Sequence, residues 1–286
     1  MNRLSNQGGG TAAKTKNSFL RSNPIMRRLD NVYEVDEVNS ATYKGIALKT
    51  AFFLLFSVAG ILLQLALVKT LSAGNPIEFS IKGFEVSMYS YELYALIGSV
   101  ILAIIFQLLA FFAKATTPVT GALYCVTQGY MISFTIFKVL KGYEYLGALA
   151  LAITLMIVLV MSILYATGAI RVTKKFRMVM LTLFVTSIAS SILVFIGSLI
   201  PATRELTAAI TGNIGFSLVT GVIFIIIAAL FLICDFDTID HVVSDKLPKK
   251  YEWAAAFGLS FTVLWLYLKV LDIILTIAGS GNKNNG

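Results

Sequence analysis

The sequence predicts an all-α integral membrane protein, a bundle of seven transmembrane helices. Its 286 residues are 57% hydrophobic and only 13% charged, with a mean hydropathy of +0.83. A soluble domain of this size has about a quarter charged residues, so this chain cannot cover itself with a water-facing surface. Seven apolar runs each approach the roughly 20 residues that a helix needs to cross the hydrocarbon.

The predicted chain has three parts. Residues 1–44 are polar and form a flexible tail, residues 45–279 form the transmembrane domain, and residues 280–286 form a short C-terminal tail. We expect helices because an open strand would leave backbone amides unpaired in lipid, and because the runs are too uniformly apolar for barrel strands. The predicted spans are Ala47–Leu67, Leu93–Ala113, Pro118–Phe137, Leu146–Tyr165, Met178–Ile200, Ile214–Cys234 and Trp253–Ile277.

The distribution of lysine and arginine predicts the orientation. With the N-terminus in the cytoplasm, sixteen of these residues lie on the inner side and six on the outer side, as the positive-inside rule requires. Seven spans then place the C-terminus outside. The net charge of +8 fits contact with anionic lipids of the inner leaflet, and no folded basic module indicates binding to nucleic acid. The predicted location is the cell membrane, with the lipid bilayer as partner.

Charges at membrane depth are the candidate functional residues, since each costs several kcal/mol there. Asp235 directly follows the apolar residues of the sixth run, and Asp237 comes two residues later. Lys269 lies inside the seventh run, with Asp272 one turn further on the same face. Lys269 either pairs with Asp272 near the interface or meets the carboxylates of the sixth span. Lys114 ends the second span, where snorkelling of its side chain is a sufficient explanation.

The remaining polar residues receive structural interpretations. Asp240 and His241 are interpreted as a solvated helix end, and Cys125 and Cys234 as small core residues without metal or redox spacing. A single histidine argues against a three-histidine metal site and a histidine-containing triad. Because no nucleophile–base pair is recognisable either, we expect that the protein is not an enzyme and has no cofactor.

Several motifs together resemble the Bax-inhibitor family of seven-helix membrane proteins, and most closely its bacterial branch. They run from the tail to the last span: Ser22-Asn23-Pro24, residues 168–177, residues 234–240, residues 249–259 and residues 265–268. The resemblance implies a central seventh helix wrapped by the other six. It also implies a location in the bacterial inner membrane and a pH-sensitive leak of Ca²⁺ across it.

The resemblance further assigns roles to residues. It implies that facing aspartates on the sixth and seventh helices share a proton or accept a cation, and that an arginine on the second helix latches the closed state. Asp235 matches the sixth-helix aspartate and is the candidate Ca²⁺ ligand, while Lys114 stands in place of the arginine. Lys269 replaces the seventh-helix aspartate and reverses its charge. Asp272 is the alternative acid, and Asp237 completes the expected ion path.

Two hypotheses about function follow. The first is a cation channel, with Ca²⁺ as the transported ion, gated by a charged pair between the sixth and seventh helices. The second is a non-transporting protein that binds a membrane protease, another membrane protein or anionic lipids. The basic residues expected to make these contacts are Arg171, Lys174, Lys175 and Arg177.

A retinal protein is a third class with seven helices and a lysine in the last one. Trp265 lies four residues before Lys269, where microbial rhodopsins carry an aspartate, and the third run has no carboxylate. The sequence therefore does not favour retinal binding.

Overall fold

The computed structural model describes residues 39–71 and 76–283, which are almost entirely helical. Residues 1–38, most of the predicted tail, lie outside the described residues. The elements are α1 (Tyr43–Leu71), β1 (Ile77–Ile81), β2 (Phe84–Met88), α2 (Ser90–Phe112), a 3₁₀ turn (Lys114–Thr116), α3 (Thr117–Phe134), a π-helical turn (Thr135–Val139), α4 (Tyr145–Ala166), α5 (Lys174–Leu199), α6 (Pro201–Gly212), α7 (Ile214–Ser244) and α8 (Tyr251–Lys283).

Five of the described helices are long and apolar enough to cross a membrane. They are Tyr43–Leu71, Ser90–Ala110, Tyr145–Ala166, Ile214–Ser244 and Tyr251–Ser280. They confirm the prediction of a multi-pass helical membrane protein. α3 and α5 are not among these five helices: α3 is rich in threonine, glycine and tyrosine, and several side chains of α5 lie outside the described residues. The number of seven spans therefore stays a prediction.

Apolar side chains cover the outside of the bundle. Leu62 on α1, Ile104 on α2 and Leu159 on α4 are 61%, 54% and 61% exposed, and many similar residues surround them. Contact of such a surface with water costs roughly 25 cal/mol per Å². In a bilayer the same side chains contact acyl chains at no such cost. The outside of the bundle is therefore a lipid-facing surface.

α8 is the most buried of the five apolar helices. Its main neighbours are α1, α3, α4 and α7, and the side chains of Phe257, Leu266 and Leu271 are almost fully enclosed there. The main neighbour of α2 is α3, and α5 packs mainly on α6 and α7. The last helix was expected at the centre of the bundle, and it packs mainly on four helices. α2 and α5 lie further from it.

α1 and α3 approach each other closely at two glycines. A Cβ atom on Gly129 would lie 1.8 Å from the carbonyl oxygen of Ser57, and one on Gly60 would lie 2.1 Å from that of Val126. Because glycine has no side chain, the two backbones can pack in direct contact, as small residues allow in membrane helix pairs.

A β-hairpin fills the connection between α1 and α2, where the sequence analysis expected a loop. Residues 77–88 alternate apolar and polar side chains, and Phe84, Val86 and Met88 are buried. Lys82 and Gly83 have φ angles of +49° and +87°, as a two-residue hairpin turn requires. This period of two was present in the sequence and indicates a strand pair.

The hairpin marks one end of the bundle. Strand β2 packs on the π-helical turn, and a Cβ atom on Gly279 would lie 1.8 Å from the carbonyl oxygen of Lys82. The hairpin tip therefore lies against the last turns of α8, and this end is called the hairpin end. At the opposite end, called the tail end, Ala41 donates its backbone N–H to Leu247 and Lys249 donates to Asn39.

Candidate functional site

Asp235 on α7 is the most deeply buried of the predicted site residues. It is 0% exposed and follows three buried residues of the same helix, Leu232, Ile233 and Cys234. Among the described residues it belongs to no group of three or more His, Cys, Asp or Glu side chains that could hold a metal. Because Ca²⁺ takes six to eight oxygen ligands, a role of Asp235 in binding Ca²⁺ stays a prediction.

Lys269 on α8 lies away from Asp235. Its ammonium is 4.7 Å from the ring centroid of Phe224, a cation–π contact. Phe224 precedes Asp235 on α7 by about three turns, roughly 16 Å along the axis. In the part of the chain that the structure describes, no ion pair joins Lys269 to Asp235 or Asp272. The α7–α8 connection lies much nearer in sequence to Asp235 than to Lys269, which explains the offset.

Asp272 has a different partner from the one expected. Its half-exposed carboxylate forms an ion pair with Lys82 at the hairpin tip, and Lys82 also donates to the hydroxyl oxygen of Thr276 at 2.8 Å. The contact ties the hairpin to α8. The sequence analysis considered Lys269 as the partner of Asp272 because the two lie one turn apart on one face, and it did not predict the hairpin that carries Lys82.

Two of the predicted residues do meet. Asp237 on α7 forms an ion pair with Arg177 near the start of α5, and both side chains are about 15% exposed. His241 Nε2 is 4.0 Å from the same carboxylate of Asp237. Arg177 was expected on a basic surface facing lipid or a partner. Its guanidinium lies against Asp237 instead, because this largely buried carboxylate needs a counter-charge.

The other three residues of the predicted basic surface, Arg171, Lys174 and Lys175, are exposed. They lie between the end of α4 and the first turn of α5. Lys114 begins the 3₁₀ turn after α2. Its side chain lies outside the part of the chain that the structure describes, so the latch position implied by the resemblance stays a prediction.

A cavity of about 450 Å³ opens at the tail end beside these charges. It is lined by Asp237 and Asp240 of α7, by Tyr165 of α4 and by Arg171. Asp240 is exposed, as expected, but Tyr43 and Tyr165 donate their hydroxyl hydrogens to its carboxylate. Asp240 therefore links α1, α4 and α7 in addition to facing solvent.

Glu252 at the start of α8 is a buried charge that the sequence analysis missed. Its side chain is fully buried, forms an ion pair with Lys49 and accepts hydrogen bonds from the backbone N–H and the hydroxyl of Thr42, at 2.8 and 3.2 Å. A Cβ atom on Gly45 would lie 2.3 Å from this carboxylate. Glycine at this position thus makes room for Glu252, which holds α8 against the start of α1.

Glu92 and Lys138 form a second pair that the sequence analysis missed, at the hairpin end. The Glu92 side chain is fully buried, and its Oε1 is 2.8 Å from Nζ of Lys138. The signal for Glu92 and Glu252 was an acidic residue within the first turn of an apolar helix. Their partners lie far along the chain, and local sequence does not indicate them.

A bundle of long apolar helices with buried carboxylates in ion pairs at both ends defines a polytopic membrane protein. The chain belongs to the Bax inhibitor 1 like family, whose profile matches residues 6–279. The resemblance to this family is therefore confirmed, while the bacterial branch stays a prediction. Neither the comparison with curated proteins nor the comparison with solved structures gave a match.

Proposed function

We propose that the protein is a pH-sensitive cation leak channel that lets Ca²⁺ cross the membrane. The observation that carries this proposal is the complete burial of Asp235 in a membrane-spanning helix. A carboxylate at that place costs several kcal/mol, which favours a role in handling a cation or a proton. The proposal assigns no chemical reaction and no resident cofactor to the chain, and Ca²⁺ takes part only as the transported ion.

The cavity at the tail end supplies the mouth of the path. Asp237 and Asp240 line it and follow Asp235 on the same helix. Carboxylates in a concave, low-dielectric site raise the local concentration of cations. A cation that enters the cavity therefore meets two carboxylates before the one at Asp235.

The ion pair between Arg177 and Asp237 closes this mouth in our proposal. Arg177 places a positive charge beside Asp237, which lines the cavity and follows Asp235 by two residues. His241 lies 4.0 Å from the Asp237 carboxylate and Asp245 lies 3.9 Å from His241. Histidine ordinarily changes its charge between about pH 5 and 8. A protonated His241 competes with Arg177 for Asp237, so acidification weakens the closure and increases the leak.

Asp235 and Lys269 act as successive charges in this proposal. The sequence analysis offered Asp272 or the carboxylates of the sixth span as partners of Lys269, but its ammonium lies over the ring of Phe224. A fixed ammonium further along the path repels Ca²⁺ and limits the rate of the leak. Replacing Lys269 by methionine, which has a similar length, removes the charge and keeps the side-chain volume nearly unchanged.

The test is Ca²⁺ flux into proteoliposomes that contain a fluorescent indicator, measured from pH 5 to about 8. We expect Asp235→Asn to lower the flux about tenfold, Lys269→Met to raise it, and His241→Gln to flatten its pH dependence. Glu205→Gln is the matched control, because this carboxylate on α6 is exposed and takes no part in the proposed path. Equal flux from wild type and Asp235→Asn at every pH rejects the proposal.

The orientation is part of the same proposal. We place the tail end in the cytoplasm and the hairpin end outside a bacterial cell membrane. The excess of lysine and arginine on the tail side supports this orientation, because such residues are retained on the cytoplasmic side.

A non-transporting interaction protein is the second candidate. The exposed side chains of Arg171, Lys174 and Lys175 favour it, since a basic cluster beside a membrane attracts anionic headgroups. A membrane protease with an acidic cytoplasmic surface is the alternative partner. Replacing all three residues by glutamine should then weaken binding to vesicles with anionic lipid, measured by co-sedimentation, and leave Ca²⁺ flux absent in both proteins.

A further inference from the structure

The Glu92–Lys138 pair joins α2 to the π-helical turn. It has no role in the leak described so far. Oε2 of Glu92 is 3.1 Å from Nζ of Lys138 and also accepts the backbone N–H of Tyr89 at 2.8 Å. The Lys138 ammonium lies 5.7 Å from the centroid of the Tyr89 ring. A buried pair of this kind becomes much less favourable when one partner is removed, because the other charge stays desolvated. Removing Glu92 therefore drives Lys138 toward water.

The π-helical turn places Lys138 in this contact. Leu140 donates its backbone N–H to the carbonyl oxygen of Thr135 at 3.0 Å, which is the i to i+5 spacing of a π-helix. With this spacing Lys138 follows Ser133 along one face of the helix. Single π-helical turns inside helices are rare and are frequent at functional sites. Conversion of the turn to α-helix rotates Lys138 by about 100° relative to the preceding turns.

Among the described residues, two buried polar atoms without hydrogen-bond partners lie on α1 and α2, the two helices that pack against α3. Ser133 donates to the side-chain oxygen of Gln64 on α1 at 2.8 Å, and Gln64 is 1% exposed. In the described ranges, Nε2 of Gln64 and the hydroxyl of Tyr91 have no hydrogen-bond partner. Tyr91 directly precedes Glu92 on α2, and the main neighbour of α2 is α3. Buried polar atoms almost always have a partner, and in such places the partner is commonly water.

We propose that the Glu92–Lys138 pair is the gate of the cation path at the hairpin end. In the closed state Lys138 neutralises Glu92 and keeps α2 against α3. When the π-helical turn relaxes to α-helix, Lys138 leaves, and the freed Glu92 carboxylate and the amide of Gln64 face the opening. This inference rests on the proposed leak, because it supplies the second end of the same path.

The experiment compares wild type, Glu92→Gln, Lys138→Gln and the exchanged pair Glu92→Lys with Lys138→Glu. One measurement is Ca²⁺ flux into proteoliposomes. The other is the rate at which a positively charged methanethiosulfonate reagent modifies Ser133→Cys, with Cys125 and Cys234 replaced by alanine. We expect each single substitution to raise both rates about tenfold and the exchanged pair to restore them to within about twofold of wild type.

Glu85→Gln is the matched control, because Glu85 is an exposed carboxylate on the hairpin at the same end. Unchanged modification rates in both single variants overturn the gate, even where wild type shows Asp235-dependent flux. Changed modification rates without any flux in wild type overturn the leak and support the opening movement alone. Should Glu92→Gln fail to fold, Lys138→Gln and the exchanged pair provide the same comparison.

Discussion

Glu252 shows at the scale of single residues what a buried carboxylate requires in this protein. It has an ammonium, a hydroxyl and a backbone N–H as partners and a glycine that leaves space for it. These groups come from α1 and from the residue before it, about two hundred residues earlier in the chain. Such a set of partners offsets the desolvation of the charge, whereas a single partner would not.

We predict that Glu252→Gln destabilises the protein by about 3 kcal/mol, since it leaves Lys49 buried without a counter-charge. The measurement is thermal unfolding of the detergent-solubilised protein. Asp245→Asn, an exposed carboxylate at the same end, should leave the unfolding temperature unchanged. A Glu252→Gln protein as stable as wild type would show that the ion pair contributes no net stability.

The residue-scale predictions from sequence succeeded in part. The mainly apolar run Ile214–Cys234 indicated that Asp235 lies at membrane depth, and its side chain is buried there. The partners were not predictable in the same way. Arg177 follows from no local pattern as the partner of Asp237, because the contact depends on where α5 packs against α7. Whether Lys269 meets Asp235 depends on the position of the α7–α8 connection, which local sequence does not determine.

At the scale of elements, the apolar runs predicted the helices well, because about 20 apolar residues have few alternatives in a membrane. The helix ends differed by several residues, and α8 continues to Lys283 where a tail was expected from residue 280. The hairpin was missed although residues 77–88 alternate strictly around Lys82-Gly83. A search for long apolar runs overlooks a short alternation of apolar and polar residues in the connection between two spans.

Glycine sets the distance between α1 and α3, and this gives an element-scale prediction. Gly129→Ala should destabilise the protein by about 2 kcal/mol or more, because its Cβ atom would lie 1.8 Å from a carbonyl oxygen of α1. The measurement is again thermal unfolding in detergent.

Gly98→Ala is the control for this substitution. Gly98 lies on α2, and its Cβ atom would have no atom within 4 Å. Alanine there should leave stability unchanged or raise it by about 0.5 kcal/mol. Equal effects of the two alanines would mean that helix propensity, rather than the contact between α1 and α3, decides the outcome.

At the scale of the whole molecule, the charges predict which end faces the cytoplasm. Ser244 lies at the tail end and Ser80 on the hairpin, and both are exposed. With Cys125 and Cys234 replaced by alanine, a membrane-impermeant thiol reagent should label Ser80→Cys in intact cells and label Ser244→Cys only after lysis. Labelling of both or neither position in intact cells would contradict the orientation, as would the reverse pattern.

The packing of the helices against one another was the hardest feature to predict from the sequence. Composition and run length predicted a helical membrane bundle, and the family assignment supported it. The outlying positions of α2 and α5 depend instead on which faces pack. Weak amphipathicity hides these faces, since a helix between lipid and protein is apolar on both sides.

The contact between the start of α1 and the start of α8 also has a consequence for biosynthesis. Lys49 leaves the ribosome about two hundred residues before Glu252, the partner that neutralises it. Until the last helix has been made, the ammonium of Lys49 has no Glu252 to pair with. The flexible side chain of Lys49 can meanwhile place this ammonium among the lipid headgroups. A nascent chain truncated before residue 251 should therefore be degraded rapidly, and the final assembly step should be the docking of the last helix onto the first.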